Sequence, residues 1–177
     1  MELERFKRKT VVFCQMVSVD GYMLPDGEFR VGVTSASKAL GFAEAWLYKS
    51  LSNTDGKTLK TLQGMGFTAF LKHGEVDREK QSGTSKVSTL SLDDFVLLVA
   101  YATSKQKKEA FALQLALTKM AVNDFFRDAF GLSPLTIEEK RSLFYKDYAK
   151  NIDWSLEDLL DWKLIEEQEW FLNTSKG

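Results

Sequence analysis

The sequence has little of what a disulfide-bonded, metal-binding or membrane-spanning protein needs. Its 177 residues include one cysteine, Cys14, and one histidine, His73. A lone cysteine excludes an internal disulfide, which fits a reducing compartment, and these two residues supply too few soft ligands for a zinc site. No run approaches the roughly 20 apolar residues of a membrane span, and no secretory signal pattern is found. We expect a cytoplasmic protein with no metal, no cofactor and no membrane partner.

Neither sign of charge dominates the whole chain. The 24 basic and 25 acidic residues give a net charge of −1, and the hydrophobic share of 44% is near the globular average. The balance shifts along the chain, because residues 1–150 hold 22 basic and 18 acidic groups, whereas residues 151–177 hold 2 and 7. The last stretch is therefore an acidic appendage.

Strand patterns dominate the first third of the chain. Residues 11–19 are rich in β-branched and aromatic side chains, and residues 22–24 and 28–33 have strand character. Turns are predicted at Asp20-Gly21 and at Pro25-Asp26-Gly27. Together these segments predict a small antiparallel sheet with one buried face.

Short helices follow the last of these strands. Residues 35–40 and 43–51 are predicted helices separated by Gly41, a spacing similar to a helix-turn-helix. A further helical turn over 58–62 and a strand over 67–71 come next. The polar stretch 73–89 predicts a mobile loop or a hairpin tip, with 86–88 returning as an edge strand.

The second half of the chain is predicted to be helical. Ser91, Thr136 and Ser155 each precede an acid by three residues, which is the pattern of a helix N-cap. The predicted helices cover 92–104, 107–130, 136–150 and 155–172. The fold class is therefore α+β, with three parts: an α+β part over 1–89, a helical part packed on it over 90–150, and an acidic amphipathic helix within 151–177.

The helix over 107–130 has two neighbouring apolar stripes. The first comprises Phe111, Leu115, Thr118, Val122, Phe125 and Ala129, and the second comprises Ala110, Leu113, Leu117 and Met120. An apolar face this wide is typical of a central core helix or a subunit interface. We expect a homodimer, formed through this helix or through the C-terminal helix.

Catalytic chemistry has little support in the sequence. Cys14 falls in a predicted strand and is expected to be a core thiol, and no third group stands out beside a Cys–His pair. Asp77 and Glu79 lie in the polar stretch, where a solvated charge run is favoured over a nuclease cluster. We expect a protein without catalytic activity.

Basic and hydroxyl side chains around the strand-helix-helix unit favour nucleic-acid binding, although ordinary surface lysines are the alternative interpretation. A basic arm (Arg5, Lys7, Arg8 and Lys9) precedes them. Base reading is expected of Arg30, Ser37 or Lys38. The predicted DNA-binding residues are Arg30, Thr34, Ser35, Ser37, Lys38, Lys49, Lys57 and Lys60.

The acidic C-terminal stretch has two interpretations. Its apolar side, with Trp162, Trp170 and Phe171, could pack on the body while the acids face solvent. Alternatively, it forms a partner-binding or dimerising helix, in which these three aromatic residues make the contact.

Two segments resemble domains of phage antirepressors of the Bro-N and KilA-N kind. Residues 22–41, YMLPDGEFRVGVTSASKALG, read like the strand-turn-strand-helix opening of those domains, and the stretch from 90 to 131 is similar to bacterial proteins of this group. The resemblance implies an α+β module without catalytic residues that binds DNA or interferes with a repressor. It marks the strand 28–33 and the helix 35–40 as the recognition region.

The sequence therefore predicts a DNA-binding, antirepressor-like regulatory protein, with double-stranded DNA as its partner. The near-zero net charge and the acidic C-terminal stretch suit the alternative. That alternative is a protein-interaction module that binds a repressor or another protein through its tryptophan-rich helix.

Overall fold

A computed structural model describes residues 3–14, 16–78 and 82–152 of the chain. It has an α+β fold, as expected from the sequence. The strands are β1 (Glu4–Arg5), β2 (Lys7–Cys14), β3 (Val17–Met23), β4 (Phe29–Gly32), β5 (Lys72–Asp77) and β6 (Thr84–Ser91). The helices are α1 (Val33–Ala39), α2 (Trp46–Ser52), α3 (Lys57–Gly64), α4 (Leu92–Ser104), α5 (Lys108–Ala129) and α6 (Ile137–Asn151).

All six strands form one sheet in the order β1-β5-β6-β4-β3-β2. The expected antiparallel sheet is in fact mixed, because β1 runs parallel to β5 while the other neighbours are antiparallel. The strands β1 and β2 lie at opposite edges, yet Phe6 alone separates them in sequence. The sheet therefore curls until its two edges meet at Phe6.

Phe6 belongs to a small core inside the curl. It is buried with Tyr22, Leu24 and Val76. A Cβ on Gly74 would lie 2.5 Å from the Phe6 ring, so the ring reaches its place because β5 has no side chain there. Alternate residues of a strand point to opposite faces of the sheet. Val17 and Val19 therefore face away from Tyr22 and belong to a second, larger core on the other face, the main core.

The main core lies between the sheet and the helices. Its fully buried side chains include Leu40, Leu62, Leu90, Leu98 and Leu113. The helix α6 reaches the sheet through Phe144, whose ring stacks on Phe13 of β2 at 5.7 Å between centroids.

The predicted caps of α4 and α6 are confirmed: Ser91 accepts from the Asp94 amide, and Thr136 with Glu139 forms a reciprocal capping box.

Two turn and loop predictions are wrong. Asp20-Gly21 lies within β3, where the Asp20 carboxylate accepts two hydrogen bonds from Arg8 of the neighbouring strand. The mobile-loop prediction over 73–89 is wrong, because this stretch contains β5 and most of β6. The alternative, a hairpin with 86–88 in its returning strand, is confirmed, although β6 lies between β5 and β4 rather than at an edge. Residues 67–71 precede β5 and do not form the predicted strand.

Candidate nucleic-acid interface

The helices α1, α2 and α3 follow β4, and α2 contacts both of the others. The helices α2 and α3 are joined by residues 53–56, a short turn that ends in Gly56. Two helices joined by such a turn form the helix-turn-helix arrangement. The sequence predicts a helix-turn-helix at α1 and α2. In the structure, the short turn that ends in glycine lies between α2 and α3 instead.

Arg30 is not at the surface, which contradicts its expected role in reading bases. Its side chain is 3% exposed. The guanidinium donates to Thr89 Oγ1 at 3.0 Å and to the carbonyl oxygens of Phe70 and Thr89 at 3.2 Å. It also pairs with Glu28 at 2.6 Å. Arg30 therefore ties β4 to β6 and to the chain entering β5.

Glu28 bridges Arg30 and Lys72. Lys72 Nζ donates to Glu28 Oε2 at 2.7 Å, and Arg30 donates to Oε1. The hydrogen bond from Lys72, followed by that from Arg30, lowers the pKa of the Glu28 carboxyl from its ordinary value of 4.5. A lowered folded-state pKa stabilises the fold above the ordinary value, and this stabilisation disappears as the pH falls through the folded-state pKa.

We therefore expect the chain to lose stability on acidification below about pH 4.5 more steeply than a Glu28→Gln variant does. The measurement is urea unfolding of both proteins at a series of pH values from neutral to strongly acidic. Parallel pH profiles for the two proteins would contradict a role for this carboxylate in acid sensitivity.

The exposed surface of α1 is small, and this corrects the expected recognition region. Ser37 is buried, and its hydroxyl donates to the Val33 carbonyl at 3.1 Å. Ser35 Oγ accepts from the Asp20 amide at 2.9 Å and so fastens α1 to β3. Thr34 and Lys38 are exposed, and Lys38 pairs with Glu44 at 2.9 Å. The expectation that Arg30 and Ser37 read bases is therefore wrong, whereas Thr34 and Lys38 remain accessible on α1.

The helix α3 presents a polar face instead. Leu59 and Leu62 are buried in the main core, and Lys57, Lys60, Thr61 and Gln63 are exposed. The two lysines are among the DNA-binding residues predicted from the sequence, whereas Thr61 and Gln63 are not. The sequence does contain a signal for these exposed positions. Leu59 and Leu62 are three residues apart, and this spacing predicts a helix whose polar positions face solvent. Lys60 lies 3.7 Å from the exposed Asp55.

A notch of about 230 Å³ lies where α2 meets the start of α3. Lys49 and Lys57, both expected DNA contacts, line it together with Asn53 and Thr58. Gly56 gives α3 no side-chain cap, and no acid lies in the first turn of the helix. Amides at an uncapped helix N-terminus attract anions, and two lysines reinforce this. The notch has the chemistry of a phosphate contact.

The basic arm expected at the N-terminus is part of the sheet. Arg8 bonds to Asp20, and Arg5 lies 3.7 Å from Asp77. Lys7 and Lys9 are exposed on β2 and line an apolar groove of about 480 Å³ with Phe29. The arm is therefore on different elements from the α2–α3 notch.

Cys14 and His73, the residues weighed for nucleophilic catalysis, have different surroundings: Cys14 is buried and His73 is exposed. Cys14 is buried in the main core, and its burial raises the pKa of the thiol, which reduces the reactive thiolate. His73 Nδ1 lies 2.9 Å from Ser88 Oγ on the neighbouring strand, beside a pocket of about 580 Å³. Across residues 3–14, 16–78 and 82–152, no three histidine, cysteine or acidic side chains are grouped to hold a metal ion.

In the part of the chain that the structure describes, no helix has both the length and the apolar composition to cross a membrane. The predicted helix over 155–172 and its aromatic residues Trp162, Trp170 and Phe171 lie outside the described residues. No protein-family model, curated protein or solved structure matches the chain.

Proposed function

We propose that this chain is a non-catalytic, DNA-binding regulatory protein of the antirepressor-like type, and that α3 is its recognition helix. The observation that supports the proposal is the exposed face of α3, which combines Lys57, Lys60, Thr61 and Gln63 and has no acidic residue. Major-groove reading uses side chains of these types, because lysine donates to guanine, glutamine bonds adenine and the threonine methyl contacts thymine.

The helix α2 supplies the positioning contact. Lys49 lies on α2, and the notch that it lines also contains Lys57 and the N-terminus of α3. In helix-turn-helix proteins the first helix contacts the phosphate backbone while the second enters the groove. A phosphate in this notch would fix α3 relative to the duplex, and phosphate contacts of this kind supply most of the affinity.

The helix α3 is held firmly enough to carry such contacts. Leu59 and Leu62 anchor it in the main core, and the Tyr101 hydroxyl donates to Thr58 Oγ1 at 3.4 Å. Recognition side chains on a packed helix are positioned more accurately than those on a loop. The buried side of α3 therefore supports the function of its exposed side.

The test is the affinity of a Lys57→Gln/Lys60→Gln variant for a random-sequence DNA duplex. Fluorescence anisotropy at low and at moderate salt gives both the affinity and its salt dependence. We expect binding to weaken about tenfold or more at low salt. The salt dependence should also become shallower. The magnitude of the slope of log K against log salt should decrease by about 0.9 for each phosphate that the variant no longer neutralises. Both lysines are exposed, so the fold should be unaffected.

The matched control is Lys146→Gln/Lys150→Gln, which removes the same charge from exposed positions on α6. Its affinity should stay within about twofold of the parent if the contact is local. Equal losses in the two variants would indicate a diffuse electrostatic effect and remove α3 from the interface. No binding by the parent even at low salt would favour the protein-interaction alternative.

A further inference from the structure

The long helix α5 has an apolar face that the described part of the chain does not cover. Leu115 is half-buried, while Val122, Phe125 and Phe126 are exposed, Phe125 by 77%. Helical geometry places these residues on the side of α5 away from Leu113, which is fully buried. We call Leu115, Val122, Phe125, Phe126 and Ala129 the α5 stripe. The sequence predicts both stripes of this helix, but the structure buries mainly the second.

The chain leaves α6 at one end of this stripe. Lys119 pairs with Asp147 and Asp124 pairs with Lys140, each at 2.8 Å, so α5 and α6 are antiparallel neighbours. In this register the last residue of α6, four positions after Asp147, lies level with Leu115. A segment that turns back after residue 152 therefore starts level with the first residue of the stripe, and it crosses to the face of α5 that α6 leaves open.

The length of the following segment matches the stripe. The 18 residues over 155–172 would span about 27 Å as a helix, and the distance along α5 from Leu115 to Phe130 is about 23 Å. Apolar residues recur in this segment at Leu156, Leu160 and Leu164 and again at Phe171. Spacings of four and seven place them on one helical side, and the seven acids of residues 153–177 occupy much of the rest.

We propose that the acidic C-terminal segment over 155–172 docks along the α5 stripe of its own chain, as a helix on the side of α5 away from Leu113. The occupant follows from the height at which the chain leaves α6, from the similar lengths and from the apolar side of the segment. The docked segment covers Phe125 and Phe126 and presents its acids to solvent. This proposal is independent of DNA binding by α3.

Tryptophan fluorescence of the full chain tests this contact. The chain has four tryptophans, and Trp46 alone lies outside the C-terminal stretch. With all four replaced by phenylalanine, a Leu164→Trp substitution places a single reporter on the apolar side of the segment. We expect blue-shifted emission with weak acrylamide quenching. Adding Phe125→Asp should shift the emission to longer wavelength and raise the quenching several-fold.

Phe29→Asp is the matched control in the same background. Phe29 is also an exposed phenylalanine, 62% exposed, and it lies on β4 beside the apolar groove. Its variant should leave the emission unchanged. Solvent-like emission from the parent, or a red shift with Phe29→Asp but not with Phe125→Asp, would overturn the proposal.

Light scattering of the same proteins separates the segment from a second copy of the chain. We expect the parent and the Phe125→Asp variant to have the same mass over a wide range of protein concentration. A parent of twice the monomer mass that becomes monomeric with Phe125→Asp, while the tryptophan emission does not change, would assign the stripe to a second copy. Circular dichroism of each variant verifies that the fold is retained.

Discussion

Replacing Arg30 with alanine is expected to lower the free energy of unfolding by about 2–4 kcal/mol, through lost hydrogen bonds from a charged donor and lost packing. The guanidinium is 3% exposed and pairs with Glu28, and it donates to Thr89 on β6 and to the Phe70 carbonyl. Alanine would remove the guanidinium donor from the buried Thr89 and from the Phe70 carbonyl, and losing the donor to a buried acceptor destabilises the fold. It would also leave a space in the sheet where the side chain now lies.

Urea unfolding measures this destabilisation. Arg5→Ala is the matched control, because Arg5 pairs with Asp77 at 3.7 Å and both side chains are at least 75% exposed. Such surface pairs contribute about 0–1 kcal/mol. Arg30→Lys should lie between the two, since lysine retains the charge but cannot reproduce the planar fork. If Arg30→Ala unfolds at the same urea concentration as Arg5→Ala, the Arg30 network does not stabilise the sheet.

In a separate variant, replacing Phe144 with alanine is expected to lower the free energy of unfolding by about 3–5 kcal/mol. Phe144 is 1% exposed and is the largest fully buried side chain in the described residues. Its ring stacks on Phe13 of β2 and on Tyr148 of α6, with centroids 5.7 and 5.8 Å apart. The substitution therefore removes the main apolar contact between α6 and the sheet.

Thermal or urea unfolding measures this second effect, and Phe29→Ala is the control. Phe29 is 62% exposed, so its replacement should change stability by less than about 0.5 kcal/mol. Phe144→Leu should recover part of the stability, because leucine fills more of the space than alanine does. If Phe144→Ala is as stable as the control, the packing of α6 on β2 through Phe144 and Phe13 does not stabilise the fold.

The helices of the second half can be predicted closely from the sequence. The sequence predicts helices over 92–104, 107–130 and 136–150, and α4, α5 and α6 begin and end within a residue of these limits. Ser91 and Thr136 are local signals, since a cap needs a hydroxyl and an amide three residues later. Local signals of this kind do not depend on the rest of the fold.

The hairpin of β5 and β6 cannot be predicted in the same way. Its strands are mostly polar, and Val76 and Val87 provide little of the alternation that identifies a strand. Its apolar contact is made instead by Phe6, a residue about seventy positions earlier, against Gly74. Asp20-Gly21 has the composition of a turn, but a hydrogen bond from the Arg8 guanidinium to the Asp20 carboxylate holds it in the sheet.

The candidate interface is predicted only in part, and the reason is burial. Lys49, Lys57 and Lys60 are exposed, as a contact with phosphate requires. Arg30 is buried against partners far along the chain, such as Thr89, which composition cannot reveal, and Ser37 is on the buried side of α1. Charged residues are rarely buried unless they are paired, and Arg30 is paired with Glu28.

The curled sheet also constrains the order in which the chain can fold as it leaves the ribosome. Glu4 pairs with Gly74, seventy residues later, so the first strand has no partner until β5 has been synthesised. The strand β4 can pair with β3 at once, but its other edge stays open until β6 has been synthesised. Closing a chain loop of this length costs conformational entropy, and the strand pairing that offsets this cost forms only afterwards. During translation, β2, β3 and β4 are therefore a nascent meander that becomes stable when the hairpin arrives and joins the two ends of the sheet.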